Sequence, residues 1–531
     1  MTVYTHSIIP KFYHFCLKFV QRITFFLVFL LFTGSFLFTC YAENMETQQV
    51  LTRLDHPLGS LFGILLFLGI LGSVLFLIRH NVSKWKNIIL FCTLGWIIFA
   101  GVLLILFSKT VPAADAMSVY SAAEALALGD TSVIHPTDSY LSYYPQQVGL
   151  VAFLELLIRI WNLFGIDMPA YHFIKGIYVL LLCIAVWYQY KSVHLLFQDA
   201  FTDSLYLLLA GSNLPMIMYT SFVYGEIPSF TAFSIGLYLL LKLQSVLVTE
   251  RTHKILPVTG SLFFLGLSVM LRKNSLILII AVVLVLLLEA LKKRQLTLLL
   301  FALLCALTSF SILPLVQKGY EHRADNTLKS GVPAMSYFAM GMQEASRGNG
   351  WYNGFNINTY QANNMDTQLT NQASKEAIAE RMDYFRTHPS YTASFYAHKH
   401  LSQWADGTYA SRQATLATFG GRRTFFNELY AGALSKYYIG YCNIYQNIVY
   451  GGVLFFCLLL LPLGKRIAKA QVPDSPTTLS TYIGLIGVLG GFLFHIIWEA
   501  NSRYIFVYSL LLLPYAADGL KQLYQQLFHK H

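Results

Sequence analysis

Several short stretches of this chain place charged or amphipathic side chains where chemistry would need them. Asp115 follows Val111-Pro112-Ala113-Ala114 at the end of a long apolar run. A carboxylate at the mouth of a bilayer, partly desolvated by apolar neighbours, holds its proton more tightly and can serve as a general base. Residues 114–128 are rich in helix formers, so the competing explanation is an N-cap, a role worth about 1 kcal/mol. The segment from Tyr140 to Gly149 carries Tyr143, Tyr144, Gln146 and Gln147. Their aromatic faces, amides and hydroxyls suit a sugar ring, and equally an interfacial aromatic belt with no ligand. Glu226, in Tyr224-Gly225-Glu226-Ile227-Pro228, is an acid at or near membrane depth and therefore a functional position by default. Its alternative is to cap the helix whose first turn holds Pro228.

Two more stretches are cationic. Arg272-Lys273-Asn274 interrupts two apolar runs with almost no loop. The alternation of basic loops puts this turn on the outside, against the positive-inside tendency. A lipid phosphate or pyrophosphate would explain the pair, since a guanidinium binds such groups bidentately; a shifted topology is the alternative. Near the end, Glu499 and Arg503 are four residues apart in Trp498-Glu499-Ala500-Asn501-Ser502-Arg503-Tyr504. On a continuous helix they would share a face and pair. If the helix breaks there, Arg503 is free for a phosphate and Glu499 for a hydroxyl.

The elements that must position these residues are membrane spans. The chain has 531 residues, 56% apolar and 12% charged, with mean hydropathy +0.53, where soluble domains carry about 25% charged residues. This excludes soluble globular, disordered and disulfide-scaffold classes. The net charge of +11 reflects Lys/Arg-rich cytoplasmic loops and not nucleic-acid binding. Seven cysteines with no CxxC pair read as small hydrophobes. No GxxxxGK[ST] loop is present, which argues against an ATP-driven pump. Thirteen apolar segments are expected, at about 24–41, 58–78, 87–108, 148–164, 172–190, 204–221, 226–243, 255–271, 275–291, 296–316, 441–463, 479–497 and 503–520. The first is read as a retained anchor, with a cleaved signal peptide as the alternative. Basic loops at Arg79–Lys86, Lys242–Lys254, Lys292–Arg294 and Lys465–Lys469, with the tail from Lys521, are expected to be cytoplasmic. Both termini then lie inside and the number of crossings is even. The segment 148–164, short and carrying Glu155 and Arg159, is the one expected to lie flat at the interface. The chain divides into a membrane region 1–316 with an external loop 109–147, an external cap 317–440 containing a helix at 372–388, and final spans with a cytoplasmic tail at 441–531.

In this order, an acidic external loop (Asp115), a Tyr144-Pro145-Gln146 segment, a Tyr-Gly-Glu turn (Glu226), a basic turn (Arg272, Lys273) and Trp498–Tyr504 together resemble the GT-C superfamily of integral-membrane glycosyltransferases. The likeness is to the bacterial branch related to protein mannosyltransferases and aminoarabinose transferases. The stretch 351–409, with Lys399 and Trp404-Ala405-Asp406-Gly407-Thr408, adds a weaker similarity. The resemblance implies an all-α, GT-C-like polytopic fold and inverting transfer of a sugar from polyprenyl phosphate, outside the bacterial cytoplasmic membrane. It implies Asp115 and Glu226 as catalytic groups, with Arg272, Lys273 and Arg503 on the donor phosphate. Tyr144, Gln146, Glu499, Tyr504 and Trp404 would hold acceptor and sugar. The acceptor would be a cell-envelope glycan, with a surface protein second. Ala116 replaces the second acid of doubly acidic members; no cofactor is assigned, and a divalent metal stays open as an alternative that no ligand spacing supports. A flippase for lipid-linked saccharides and a non-catalytic envelope-assembly subunit are the competing functions.

Overall fold

The apolar runs are rich in Leu, Phe and Ile, and lipid offers no partner for an unpaired backbone N–H or C=O, so each run closes its own hydrogen bonds as a helix. The computed structural model describes all residues except 1, 43–48, 138, 247–254, 418–423, 463–477 and 529–531. Much of three basic segments, Lys242–Lys254, Lys465–Lys469 and the end of the tail, therefore lies outside the described residues. The chain opens with α1 (Thr2–Leu37), a hairpin of β1 (Phe38–Ala42) and β2 (Val50–Leu54), α2 (Pro57–Ile78) and α3 (Val82–Ser108). The first large loop holds α4 (Asp115–Ala127), α5 (Tyr140–Tyr143) and α6 (Val148–Asn162). Then come α7 (Ala170–Phe197), α8 (Ala200–Ser212), α9 (Leu214–Met218), α10 (Glu226–Val246), α11 (Ile255–Leu271), α12 (Leu276–Lys293) and α13 (Leu296–Ala324). The cap contains α14 (Ala334–Gly341), α15 (Phe355–Ala362), α16 (Thr367–Thr387), α17 (Pro389–Trp404), α18 (Ser411–Thr415) and α19 (Phe425–Ala431). It is followed by α20 (Ser435–Leu460), α21 (Ile483–Ile497) and α22 (Ser502–Phe528). Eight helical stretches among the described residues are long and apolar enough to cross a membrane, and one of them, Pro57–Ser108, contains both α2 and α3. The protein is an all-α, multi-pass membrane protein.

Several expected boundaries move. The first span was expected at 24–41, but α1 stops at Leu37. Residues 38–42 pair instead as an antiparallel strand, with Cys40 opposite Thr52, because Phe, Thr, Cys and Tyr suit a pleated surface. α1 is bound into the bundle: the Ser35 hydroxyl donates to Asn447 Oδ1 at 2.7 Å, Gln21 donates to the Tyr482 hydroxyl at 3.0 Å, and Tyr13 donates to Glu289. The segment 204–221 is broken at Asn213, which caps α9 by accepting from Met216 N while Pro215 occupies its first turn. The freed end of α8 is satisfied by two tyrosines one turn apart on α20, Tyr441 and Tyr445, donating to the carbonyls of Ser212 (2.6 Å) and Leu209 (2.8 Å). The cap is shorter than 317–440, because α13 stays helical to Ala324 and α20 starts at Ser435.

Helix ends fall into two groups. One joins Lys86 to Asp203 (3.4 Å), His194 to Asp203 (2.8 Å) and Lys521 to Asp199 (3.4 Å), and this is the end that carries the basic turns at Arg79 and Lys292. The other joins Arg272 to Glu226 (2.7 Å), Lys175 to Thr110, and the Cys40 amide to the Ala405 carbonyl (3.1 Å). α6 belongs wholly to this second end. A Cβ on Gly149, near its start, would lie 2.2 Å from the Met270 carbonyl at the end of α11. Further along, Glu155 accepts from Tyr320 (2.5 Å) and Arg323 (2.6 Å) at the end of α13, and Arg159 donates to the Leu126 carbonyl at 2.7 Å. At 15 residues it is about 22 Å long, short of a hydrocarbon core of about 30 Å. Its exposed face carries Leu156, Ile160 and, just beyond the last turn, Leu163, as an interfacial helix requires. With α6 flat, the remaining rods alternate and the parity of crossings is even.

In a chain whose seven native cysteines are replaced, Leu163→Cys and Asp325→Cys should react with a membrane-impermeant maleimide from the same side, and Arg294→Cys from the other. Opposite-side labelling of the first two would show that α6 crosses.

Candidate active site

The loop bearing Asp115 is fixed from both sides. Lys175, fully buried on α7, donates to the carbonyl and hydroxyl of Thr110 (2.9 Å to Oγ1), and the Val111 amide donates to the Ala417 carbonyl at 2.9 Å. Ala114 then takes φ 49°, ψ −130°, a backbone that L-residues other than glycine seldom adopt and that stores strain where surrounding contacts hold it. α4 begins at Asp115, and the N-cap position is Ala114. Among the described residues the Asp115 carboxylate accepts no capping bond. It is 47% exposed and lies 3.7 Å from Arg503 Nη2.

Below it, Glu226 joins two guanidiniums. Its Oε1 is 2.7 Å from Arg272 Nη1 and 3.8 Å from Arg503 Nε, and its side chain is 1% exposed. The preceding Gly225 is required by close approach, because a Cβ there would stand 2.7 Å from the Leu271 carbonyl. That contact seats the Tyr-Gly-Glu turn on the end of α11 beside Arg272. Arg503 also lies over the rings of Tyr224 and Phe222, 5.3 and 5.5 Å from their centroids, a cation–π arrangement.

Between α21 and α22 the helix breaks, so Glu499 and Arg503 do not form the i, i+4 pair of a continuous helix. Arg503 turns to Glu226 and Asp115, while Glu499 receives the Tyr504 hydroxyl at 3.4 Å. Burial pushes the Glu499 carboxyl up to about 7, with Arg503 acting against the rise and Asp115 adding to it. The break is held by the cap. The Ala500 amide donates to the Gly350 carbonyl at 2.7 Å, and Ser502 donates to Asp406 at 2.6 Å. Lys399, buried on α17, donates to the carbonyls of Gly341 and Ile496 (2.5 and 3.0 Å), near the ends of α14 and α21, where a cation suits the helix dipole. Burial pushes its ammonium down to about 7.

These parts enclose a cavity of about 1360 Å³. Of the ten residues to which the resemblance gives a role, Asp115, Tyr144, Gln146, Arg272, Lys273, Glu499, Arg503 and Tyr504 line it. Two do not. Glu226 lies beneath the wall as the shared partner of the arginines, tucked there by the Gly225 turn, so the geometry does not put it in contact with a ligand. Trp404 is 2% exposed, packed against Phe492 and Tyr508 (5.6 and 6.4 Å between centroids). It belongs to the apolar seat of the cap, not to the cavity wall. The sequence reading missed Arg347 and Tyr337, which also line the cavity; Tyr337 stacks on Trp498 at 4.8 Å and 7°. A usable signal for the first was the Arg347-Gly348-Asn349-Gly350 turn. Among the described residues no three His, Cys, Asp or Glu side chains converge as metal ligands do.

No family model matches the chain, and no curated protein matches its sequence. Among solved structures it is similar to the archaeal oligosaccharyltransferase AglB from Archaeoglobus fulgidus, in complex with an inhibitory peptide and a dolichol-phosphate. The identity is 15% and the TM-score 0.43, with 84% of this chain and 50% of that one covered. The chain thus spans about half the length of that protein.

Two outcomes test the site's electrostatics. Glu226→Gln leaves two guanidiniums without their buried anion, which should cost about 3 kcal/mol of stability, read as a lowered melting temperature in lipid nanodiscs. Arg272→Met in the same chain should restore part of the loss, and an unchanged melting temperature in the single variant would sink the shared-partner account. For Glu499, the folded carboxyl keeps its proton to about 7 while the ordinary value is 4.5. Between these values the folded state binds more protons than the unfolded one, so its contribution to stability falls as pH rises through that window. The melting temperature of wild type relative to Glu499→Gln should fall between about pH 5 and pH 8; a flat difference would contradict it.

Proposed function

We propose that this protein is a glycosyltransferase that moves a sugar from a polyprenyl-phosphate donor to an acceptor hydroxyl, on the side of the membrane opposite its basic loops. In a bacterium that is the outer side of the cytoplasmic membrane, and the preferred acceptor is a cell-envelope polymer. The observation that carries this reading is one cavity at the ends of apolar helices that holds both an accessible carboxylate on a strained turn and three cations. Asp115, Arg272, Lys273 and Arg503 all line it, with Asp115 3.7 Å from Arg503. Ile277 and Ile280 continue the cationic wall along α12, and Ile280 is 47% exposed on the bundle surface. A lipid tail would leave along that apolar path while its phosphate stays with the cations.

The chemistry follows from charge. The acceptor oxygen attacks the anomeric carbon, and the bond from that carbon to the phosphate oxygen breaks with its electron pair passing to the phosphate. The acceptor proton goes to Asp115. The phosphate gains negative charge as the bond breaks, and fixed cations aimed at it stabilise that change most in a site shielded from water. A single displacement inverts the anomeric centre. Tyr144 and Gln146 supply an aromatic face and an amide for the sugar, and Tyr504 and Glu499 supply polar partners for a hydroxyl.

Asp115→Asn keeps shape and removes the base. With purified full-length chain in nanodiscs and polyprenyl-phosphate-linked radiolabelled hexoses, transfer should fall by about 10²–10⁴-fold while the melting temperature holds. Full activity in this variant would remove Asp115 from the mechanism.

A further inference from the structure

Arg347 also lines the cavity, but it is carried by the cap, on the loop between α14 and α15. That loop is rigid. Gly350 donates to the Gln343 carbonyl at 2.8 Å, and the Trp351 indole donates to Ser402 at 2.8 Å. The Arg347 carbonyl accepts from the Val50 amide at 2.9 Å. Gly350 has φ 72°, and a Cβ there would fall 2.7 Å from the Gly341 carbonyl, so the turn admits no other residue without moving the cap.

The Arg347 side chain on this fixed backbone forms no ion pair among the described residues, although its charge reaches the cavity carboxyl of Glu499 and works against that group's rise. Its guanidinium lies 5.8 Å from the Tyr352 ring centroid, and no carboxylate among the described residues comes within ion-pair distance. The other two cavity guanidiniums are engaged, Arg272 by Glu226 and Arg503 by Glu226 and Asp115. Lys273 has no carboxylate at ion-pair distance among the described residues either, but it stands on the turn that leads to Ile277, beside the apolar path. Arg347 is tied instead to β2, and its loop to the 498–501 break, on the cap side of the cavity away from the apolar path. A held, half-buried guanidinium with an open planar fork is suited to a phosphate or carboxylate.

We propose that Arg347 recognises an oxyanion on the acceptor, so that the hydroxyl receiving the sugar belongs to an acidic polymer, a phosphodiester-linked polyol or a uronate glycan. This rests on the transferase reading for the word acceptor, while the anion site itself does not.

The experiment uses the full-length chain in nanodiscs with three probes: a glycerol-phosphate trimer, a galacturonate trimer and a neutral galactose trimer. At least one acidic trimer should raise the melting temperature of wild type where the neutral one does not, and which of the two does so identifies the anion. Arg347→Gln should abolish the shift, and Arg347→Lys should keep part of it, since it retains charge without the fork. In transfer assays Arg347→Gln should raise the KM for the acidic acceptor about tenfold and leave the donor KM and kcat unchanged. A neutral trimer that binds as well as the acidic ones, or a rise in donor KM, would overturn the assignment. Arg347-dependent binding without any sugar transfer by wild type would uphold the anion site and refute the transferase.

Discussion

One carboxylate shared by two arginines fixes the geometry of the whole cavity floor. Arg272 comes from the end of α11, Arg503 from the start of α22 and Glu226 from the start of α10, so their contacts tie three helices at one point. Two unit charges about 6 Å apart repel by roughly 3 kcal/mol at an effective dielectric near 20. With no anion between them the arginines would turn away to solvent, and the wall would lose its cations. Glu226 supplies the anion that lets the two cations stand side by side. It leaves donors of both guanidiniums without ideal hydrogen bonds, since Arg272 Nη1 and Arg503 Nε are buried and unsatisfied by geometry. Such groups are costly, so the shared carboxylate holds both guanidiniums in place without satisfying every one of their donors.

The cap completes this arrangement by controlling a break in the membrane helices. α21 and α22 are separated by four residues that carry Glu499 and lead to Arg503, and a free linker of that length would have many conformations. Lys399 removes most of them by binding the carbonyls near the ends of α14 and α21 together. The Gly350–Ala500 bond and the Asp406–Ser502 bond fix the rest. A lysine can do this because three donors on one compact head reach two helix ends at once. The position of the cationic wall is thus set as much by the cap as by the membrane helices.

How much of this was legible in sequence depends on the range of the interaction. Spans were readable because long apolar runs repeat one local signal, and the flat α6 stood out by its length and by Glu155 and Arg159. Charges at run ends, Asp115, Arg272 and Glu226, were visible because they interrupt that signal. What failed was direction. Trp404 has the type of a sugar-binding ring, but nothing local says that it faces Phe492 and Tyr508. Glu499 and Arg503 have the spacing of a helical pair, yet the helix ends at Ile497, where cap residues distant in sequence bind the Ile496 carbonyl, the Ala500 amide and the Ser502 hydroxyl. Arg347 carries no periodicity at all, and only the tertiary bonds of its loop bring it to the cavity.

The flat helix has a mechanical side. Tyr144 and Gln146 reach the cavity from the turn that opens α6, while the far end of the same helix shows Leu156, Ile160 and Leu163 to the surroundings. A rod lying flat in a headgroup layer would feel the lateral pressure of that layer, and this one is fastened to the bundle at Gly149, Glu155 and Arg159. The bilayer surface is in this sense a fourth wall of the chamber. If the rod lies in the headgroup layer, a tilt imposed by a thinner or stretched membrane would carry Tyr144 and Gln146 with it and change their distance from the cationic side of the cavity.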